Sequence, residues 1–126
     1  MTPQAARRFA KAERFLQQAV ALDAAIAPEG LVHLCYYAMF HAAAAVLLDR
    51  HAAAPKTHSA TIAQFGALAR TVGSDAERLA HNFNRAEDRR LIADYSDLPQ
   101  TTSDDAASLR DDAIEFVGFC RQLLGA

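Results

Sequence analysis

Apolar residues recur at three- and four-residue intervals in five segments of the chain, and no segment alternates apolar and polar residues as a strand would. The first segment begins at Pro3, behind a candidate N-cap at Thr2, and is predicted to run to about Ala27. Its apolar positions are Phe15, Leu16, Ala19, Leu22 and Ile26. Pro28 opens the second segment, which is predicted to reach about Ala53. This helix is apolar on nearly every side, so the other helices should surround it.

Start and stop signals predict the third and fourth helices. Thr57 or Ser59 caps the third, which ends at Gly73. The fourth starts with a capping-box pattern at Ser74–Glu77 and runs to about Tyr95. Both helices therefore follow a polar capping residue, and a single glycine separates them.

The fifth helix opens at Ser103–Asp105, where a cap and two carboxylates suit a helix N-terminus, and it ends near Gly125. Composition favours helices over sheets, because 52% of the residues are hydrophobic, many of them alanine, and only five are glycine. A length of 126 residues suits one domain. The sequence thus predicts a single all-α domain over residues 1–126, an antiparallel up-and-down bundle of four to five helices.

Charge and cysteine content narrow the functional classes. The net charge of −2 gives no overall attraction to nucleic acid, so any such binding needs a local patch. Cys35 and Cys120 stand among apolar neighbours without metal or redox spacing, which indicates reduced core thiols of a cytoplasmic protein. Leu31–Leu48 carries no charged side chain but is only marginally long enough to cross a bilayer and contains histidines. We expect a buried central helix and no membrane association.

The fourth helix directs two charges toward the core. Helical phase at about 100° per residue places five residues within a sector of roughly 80°: Leu79, Phe83, Ala86, Arg90 and Asp94. Burying a charged side chain in a core costs free energy, so such a charge is expected to be paired with an opposite charge or to serve a function. Arg90 and Asp94 lie one turn apart and can pair, with Tyr36, Tyr37 and Tyr95 as further candidate partners. Two interpretations stay open: a polar clamp between helices, or an active site.

Two other polar features could contact an anion. The opposite face of the fourth helix carries Arg78, Asn82, Arg85 and Arg89, either as a solvated, salt-bridged face or as a phosphate contact. The connector Pro55–Ser59 places Lys56, Thr57 and His58 before a helix N-terminus, which suits an anion but also an ordinary capped loop. His58 can serve as an acid or base only if it reaches Arg90.

Five histidines raise the question of a metal site. His33 and His41 lie about two turns apart on one helix, too far for chelation by that helix alone. His81 would have to arrive from another helix. We therefore predict no metal and no cofactor.

Three motifs together resemble one family. Cys35–Ala43 resembles the YYAMFHAA helix of small prokaryotic HEPN-domain proteins. Pro55–Ser59, followed by Phe65, is similar to their KTHS connector. Asn84–Ala86 and Arg90–Tyr95 resemble their NRA…R-x-x-ADY element. The motifs occur in order and span the second to the fourth helix.

The resemblance implies a helical bundle that usually forms a homodimer. Many HEPN proteins are ribonucleases or toxins, often encoded with a minimal nucleotidyltransferase antitoxin. Their metal-independent cleavage uses an Arg-x4–6-His motif that is paired across the dimer, and a tyrosine near the motif is a target of adenylylation. Arg90 matches the arginine, but Asp94 and Tyr95 stand where a histidine is expected. Either this subgroup is not a nuclease, or His58 or His81 substitutes.

Three functional hypotheses follow from the motifs and the resemblance. The first is a homodimeric HEPN-like module that binds a nucleotide, an RNA phosphate or a nucleotidyltransferase partner, as part of a toxin–antitoxin pair. Its ligand-binding residues would be Lys56, His58, Tyr36, Tyr37, Arg90 and Tyr95. The second is a metal-independent toxin ribonuclease with Arg90, Asp94 and His58 as catalytic residues. The third is a structural partner subunit without a ligand of its own.

Overall fold

A computed structural model describes all 126 residues and contains five helices and no strand. The helices are α1 (Pro3–Ala21), α2 (Pro28–His51), α3 (His58–Val72), α4 (Ser74–Tyr95) and α5 (Ser103–Leu124). The predicted all-α helical bundle is confirmed, and the fifth helix is a full member of it.

Threonine side chains begin three of the helices. The Thr2, Thr57 and Thr102 hydroxyls accept hydrogen bonds from backbone N–H groups three residues on, at 3.0–3.1 Å. At the end of α5, Gly125 takes the left-handed conformation with φ of 71°, as expected for a helix stop. The cap of α3 is thus Thr57, one of the two predicted candidates, and that of α5 precedes the predicted Ser103.

One predicted boundary and one predicted cap are wrong. Helix α1 ends at Ala21 rather than Ala27, because Leu22 is extended and a turn follows in which the Asp23 carboxylate accepts from the Ala25 N–H at 2.8 Å. Ile26 therefore lies exposed instead of continuing the apolar face. Helix α4 starts at Ser74 as predicted, but the predicted capping box is absent, because Gly73 is the N-cap residue and no side chain caps the helix.

Helix α2 is the centre of the bundle and packs against each of the other four helices. Its alanine run, residues 42–45, is buried and lets neighbouring backbones approach closely. By length and composition α2 could cross a membrane, but 72% of its apolar window is buried within the protein, as in a core helix. Cys35 and Cys120 are free and buried, and burial raises the pKa of Cys35 to about 12.

The packing brings three helices to one place. Helix α4 runs antiparallel to α2, so that Asp94 lies near His33 and Arg90 near Tyr36. The first residue of α3, His58, reaches Tyr36 from the other side. The middle of α2, the second half of α4 and the start of α3 therefore surround a common cluster of polar and aromatic side chains.

Candidate functional site

Arg90 is buried, as helical phase predicts, with only 7% of its surface exposed. Its Nη2 donates a short hydrogen bond to Glu87 Oε1, and its Nη1 donates to Asp94 Oδ2 at 3.2 Å. The guanidinium carbon lies 4.9 Å from the centre of the Tyr36 ring and 5.7 Å from that of Tyr37. Arg90 is therefore held by two carboxylates of its own helix and by two rings of α2.

This environment fixes the charge of Arg90. Burial lowers the pKa of the guanidinium, but the hydrogen bond and negative charge of Glu87, with Asp94, outweigh burial and raise it. Glu87 is the closer partner, and only 15% of its side chain is exposed. The arrangement matches the clamp interpretation, with Glu87 as a carboxylate partner of Arg90 in addition to the predicted Asp94.

Tyr36 connects the clamp to α3. Its ring is completely buried, and its hydroxyl lies 2.7 Å from His58 Nδ1. Burial, with the adjacent carboxylate of Glu87, raises the pKa of Tyr36, so the phenol stays protonated. When the phenol donates to Nδ1, a neutral imidazole carries its own proton on Nε2.

His58 lies at the edge of this cluster. Its side chain is 39% exposed, and its ring stacks on Phe40 with 4.4 Å between the centroids. Its Nδ1 is 3.8 Å from Glu87 Oε2. The structure therefore brings His58 and Arg90 into one cluster, although they do not touch and are joined through Tyr36 and Glu87.

At the other end, Asp94 contacts both Arg90 and His33. His33 Nδ1 lies 3.3 Å from Asp94 Oδ1, and the imidazole is nearly half exposed. The result is a row of ionisable groups in the order His33, Asp94, Arg90, Glu87, His58. Two carboxylates thus alternate with one buried cation and two accessible imidazoles.

Tyr37 and Phe40 form the open side of the cluster. Both rings are half-buried, and each lies against His58, at 5.7 Å and 4.4 Å between centroids. We call Tyr37, Phe40 and His58 the aromatic face. Tyr36 lies beneath it and is inaccessible to a ligand.

Two other predicted ligand residues lie outside the cluster, and so does one candidate histidine. Lys56 is exposed, two residues before His58, and forms no ion pair. Tyr95 is 73% exposed and, although it follows Asp94 in the chain, its side chain forms no hydrogen bond or cation–π contact with Arg90. His81 lies nine positions before Arg90 on α4, a distance of about 13.5 Å along the helix axis.

An open groove of about 710 Å³ lies between α3 and α4. The residues that line it are Ser59, Ile62, Ala63, Gly66, Arg70, Glu77, Ala80, His81, Asn84, Glu87 and Leu91. The groove holds His81 and borders the cluster only at Glu87. Elsewhere on α4, the predicted arginine row is mostly salt-bridged: Arg78 pairs with Asp75 and Glu115, and Arg89 pairs with Asp105.

A second buried polar contact links α1 to α2 and was not predicted. Arg8 Nε donates to His41 Nδ1 at 3.0 Å. Burial, helped by the charges of Arg8 and Lys11, lowers the pKa of His41 to about 4, so the ring is neutral and accepts this bond. No group of three or more histidine, cysteine, aspartate or glutamate side chains lies close enough together to hold a metal ion.

The amino-acid sequence matches the model of a known protein family. The family model described as the HEPN domain matches residues 5–123, from the first turn of α1 to the last turn of α5. No curated protein matches the chain in sequence.

Proposed function

Because the chain belongs to the HEPN-domain family, we propose that it is a helical module that binds a nucleotide or an RNA phosphate at the aromatic face. In this proposal Arg90 and Asp94 organise the site, while His58, Tyr37 and Phe40 contact the ligand. Lys56, exposed beside the face, supplies the positive charge.

The proposal rests on the contrast between the buried Arg90, which is paired with two carboxylates, and the accessible His58. Both of its Nη groups already donate to carboxylates, and the side chain is nearly inaccessible, so it is poorly placed to meet a phosphate. His58 differs, because its Nδ1 is bonded to Tyr36 while its ring edge reaches solvent. An imidazole held between partly exposed rings offers a stacking surface and one free hydrogen-bonding nitrogen. Base–aromatic stacking contributes about 1–3 kcal/mol per base.

A small ligand tests the proposal. We expect the trinucleotide UpUpU to bind the wild-type protein, and Lys56→Gln and His58→Gln each to weaken binding by about tenfold, the loss of one charge-assisted hydrogen bond. Arg70→Gln removes the same charge from an exposed position away from the face and serves as the control. Calorimetric titration gives the affinities. Unchanged affinity in both site variants, with melting temperatures like that of the wild type, contradicts the proposal.

A second candidate function is a metal-independent ribonuclease. This function is favoured because His58 and Arg90 both contact Tyr36, His58 at the hydroxyl and Arg90 at the ring. In such a reaction the imidazole would first have to carry its proton on Nδ1 and donate it to the Tyr36 hydroxyl oxygen. His58 Nε2 would then take the proton of the RNA 2′-hydroxyl, whose oxygen attacks the phosphorus. The bond between phosphorus and O5′ would break and leave a 2′,3′-cyclic phosphate, while O5′ would take a proton from water. Arg90 would stabilise the charge on the phosphate. Arg90 would first have to release Glu87 or Asp94. RNA that remains intact at an enzyme-to-substrate ratio near one, in chelator, excludes this function.

We also propose that the protein acts in the cytoplasm as a homodimer and pairs with a nucleotidyltransferase in a toxin–antitoxin system. Support comes from the family and from apolar side chains exposed near the end of α4, namely Leu91, Ile92, Tyr95 and Leu98. Light scattering measures the oligomeric state. A monomer at tens of micromolar concentration contradicts the dimer, and failure to co-purify with a nucleotidyltransferase encoded beside it contradicts the pairing.

A further inference from the structure

Helix α1 presents an exposed row of positive charge. Arg7, Lys11 and Arg14 follow four- and three-residue spacing, which places them within about 60° of one another around the helix. All three are exposed, and none of them forms an ion pair. The one acidic residue of α1, Glu13, is paired with Arg121 of α5 at 2.8 Å. We call Arg7, Lys11 and Arg14 the α1 basic row.

Arg8 joins this row to the aromatic face. Its Nε is bonded to His41, while its two Nη groups have no hydrogen-bond partner in the protein. Its guanidinium carbon lies 5.6 Å from the centre of the Phe40 ring, and Phe40 in turn stacks on His58. Cationic and aromatic groups therefore follow one another without a break from α1 to the start of α3.

A shallow groove of about 360 Å³ runs along the same surface. Its lining residues are Gln4, Arg7, Arg8, Lys11, Arg14 and Leu48. No acidic side chain lines it, although the protein as a whole carries a net charge of −2. Other exposed arginines without ion pairs have charged neighbours: Arg70 lines a groove that Glu77 and Glu87 also line, and Arg85 lies one turn before the salt-bridged Arg89. The α1 surface is thus a local patch of the kind that a polyanion needs.

We propose that the α1 basic row is a track for the phosphates of single-stranded RNA whose unpaired bases stack on the aromatic face. The inference rests on the proposed function and extends it to a second surface and to one form of ligand. A charged groove beside partly exposed rings suits a single strand, because only unpaired bases can leave the strand to stack on side chains. A duplex hides those bases and could contact the row alone.

Two charge-matched double variants test the track. Arg7→Gln/Arg14→Gln removes two exposed arginines of the row, and Arg70→Gln/Arg85→Gln removes two exposed arginines elsewhere. Each variant lowers the basic count from 13 to 11 against 15 acidic residues, for a net charge of −4. Lys11 is left unchanged in the variant because its Nζ lies over the Phe15 ring, and a substitution would remove that contact as well. The probe is a fluorescein-labelled oligouridylate dodecamer, followed by anisotropy between about 50 and 200 mM salt.

We expect the α1 variant to lose roughly 5- to 25-fold in affinity at about 0.1 M salt. Its slope of log affinity against log salt should become shallower by up to about 1.4, since each phosphate contact on a single strand contributes about 0.7. The control variant should change affinity by less than about twofold. Circular dichroism melting checks that both variants are folded, and UpUpU, which covers the aromatic face alone, should bind the α1 variant almost as it binds the wild type.

Each alternative outcome overturns a defined part of the proposal. Equal losses in both double variants mean that net charge alone matters, which overturns the track. An α1 variant that binds like the wild type also overturns the track, and if Lys56→Gln still weakens UpUpU, the proposed function survives. A duplex of equal length that binds as tightly as the single strand overturns the assignment to single strands. A wild-type protein that binds neither probe overturns both proposals.

Discussion

The hydroxyl of Tyr36 and the Nδ1 of His58 lie 2.7 Å apart, so the first residue of α3 is hydrogen-bonded to the middle of α2. This contact fixes the imidazole against Phe40 and leaves its other nitrogen toward solvent. Whatever His58 does, Tyr36 determines its position.

Removing the Tyr36 hydroxyl should lower the stability of the protein and leave the His58 side chain less ordered. We expect Tyr36→Phe to lower the free energy of unfolding by about 1 kcal/mol, the usual contribution of a hydrogen bond. Tyr37→Phe is the matched control, because the neighbouring hydroxyl has no hydrogen-bond partner in the protein and the ring is half-buried. Urea denaturation measures both. Equal effects in the two variants would show that the Tyr36–His58 bond contributes nothing of its own.

The Glu87 side chain should contribute more to the stability of the fold than any exposed acidic side chain of α4. We expect Glu87→Ala to destabilise the protein by about 3 kcal/mol, since it leaves the buried Arg90 with one remaining carboxylate. Glu77→Ala, on the same helix but exposed and without an ion pair, should change stability by less than about 0.5 kcal/mol. Thermal unfolding checks the difference, and similar melting temperatures for the two variants would rule out a clamp at Arg90.

His41 makes stability depend on pH. Burial, with Arg8 and Lys11, lowers the pKa of His41 in the folded state to about 4, whereas an unfolded histidine titrates near 6.5. The unfolded chain therefore binds more protons in this range, so stability is full above about pH 6.5 and falls as the pH falls toward 4. We expect a loss of about 1–3 kcal/mol over this window from His41. His41→Gln should flatten this part of the curve in urea denaturation, and an unchanged slope would contradict the assignment.

The ribonuclease alternative makes a separate prediction. If His58 is the acid or base, His58→Gln should lower RNA cleavage by at least about 100-fold, whereas Tyr95→Phe, which changes an exposed hydroxyl without a hydrogen bond to the cluster, should leave it unchanged. Cleavage is measured in chelator with a labelled RNA. In a bacterial host, expression of the wild type should then slow growth, and Arg90→Ala should relieve the effect. Retained cleavage in His58→Gln would remove His58 from the reaction.

Most of the fold could be predicted from local signals. Helical periodicity, threonine caps and glycine stops lie close together in the sequence and act within one turn. The end of α1 combines a local turn at Asp23 with a distant contact: Arg110 of α5 donates from Nη1 to the Leu22 carbonyl at 3.1 Å, 88 residues away. The apolar residues after Ala21 continue the helical pattern, so the pattern alone predicts an end at Ala27, six residues beyond the observed end at Ala21.

The site could be predicted only where it lies on one helix. The phase of α4 directs Arg90 inward, and Glu87 was within reach of the same argument, because an acid three residues before a basic residue is a favourable helical pair. The position of His58 was not predictable in this way. It depends on how the connector after α2 turns back, which sets a contact between residues 22 positions apart.

The attachment of α3 through its first residue has a consequence for local unfolding. Because His58 is at once the start of a helix and the accessible imidazole of the cluster, fraying of that helix end withdraws the imidazole from Phe40 and breaks its bond to Tyr36. The amide-exchange protection of the first turn of α3 therefore measures the fraction of molecules with an assembled site. A ligand that contacts His58 slows this exchange, and a substitution that loosens α3 weakens binding without touching a ligand.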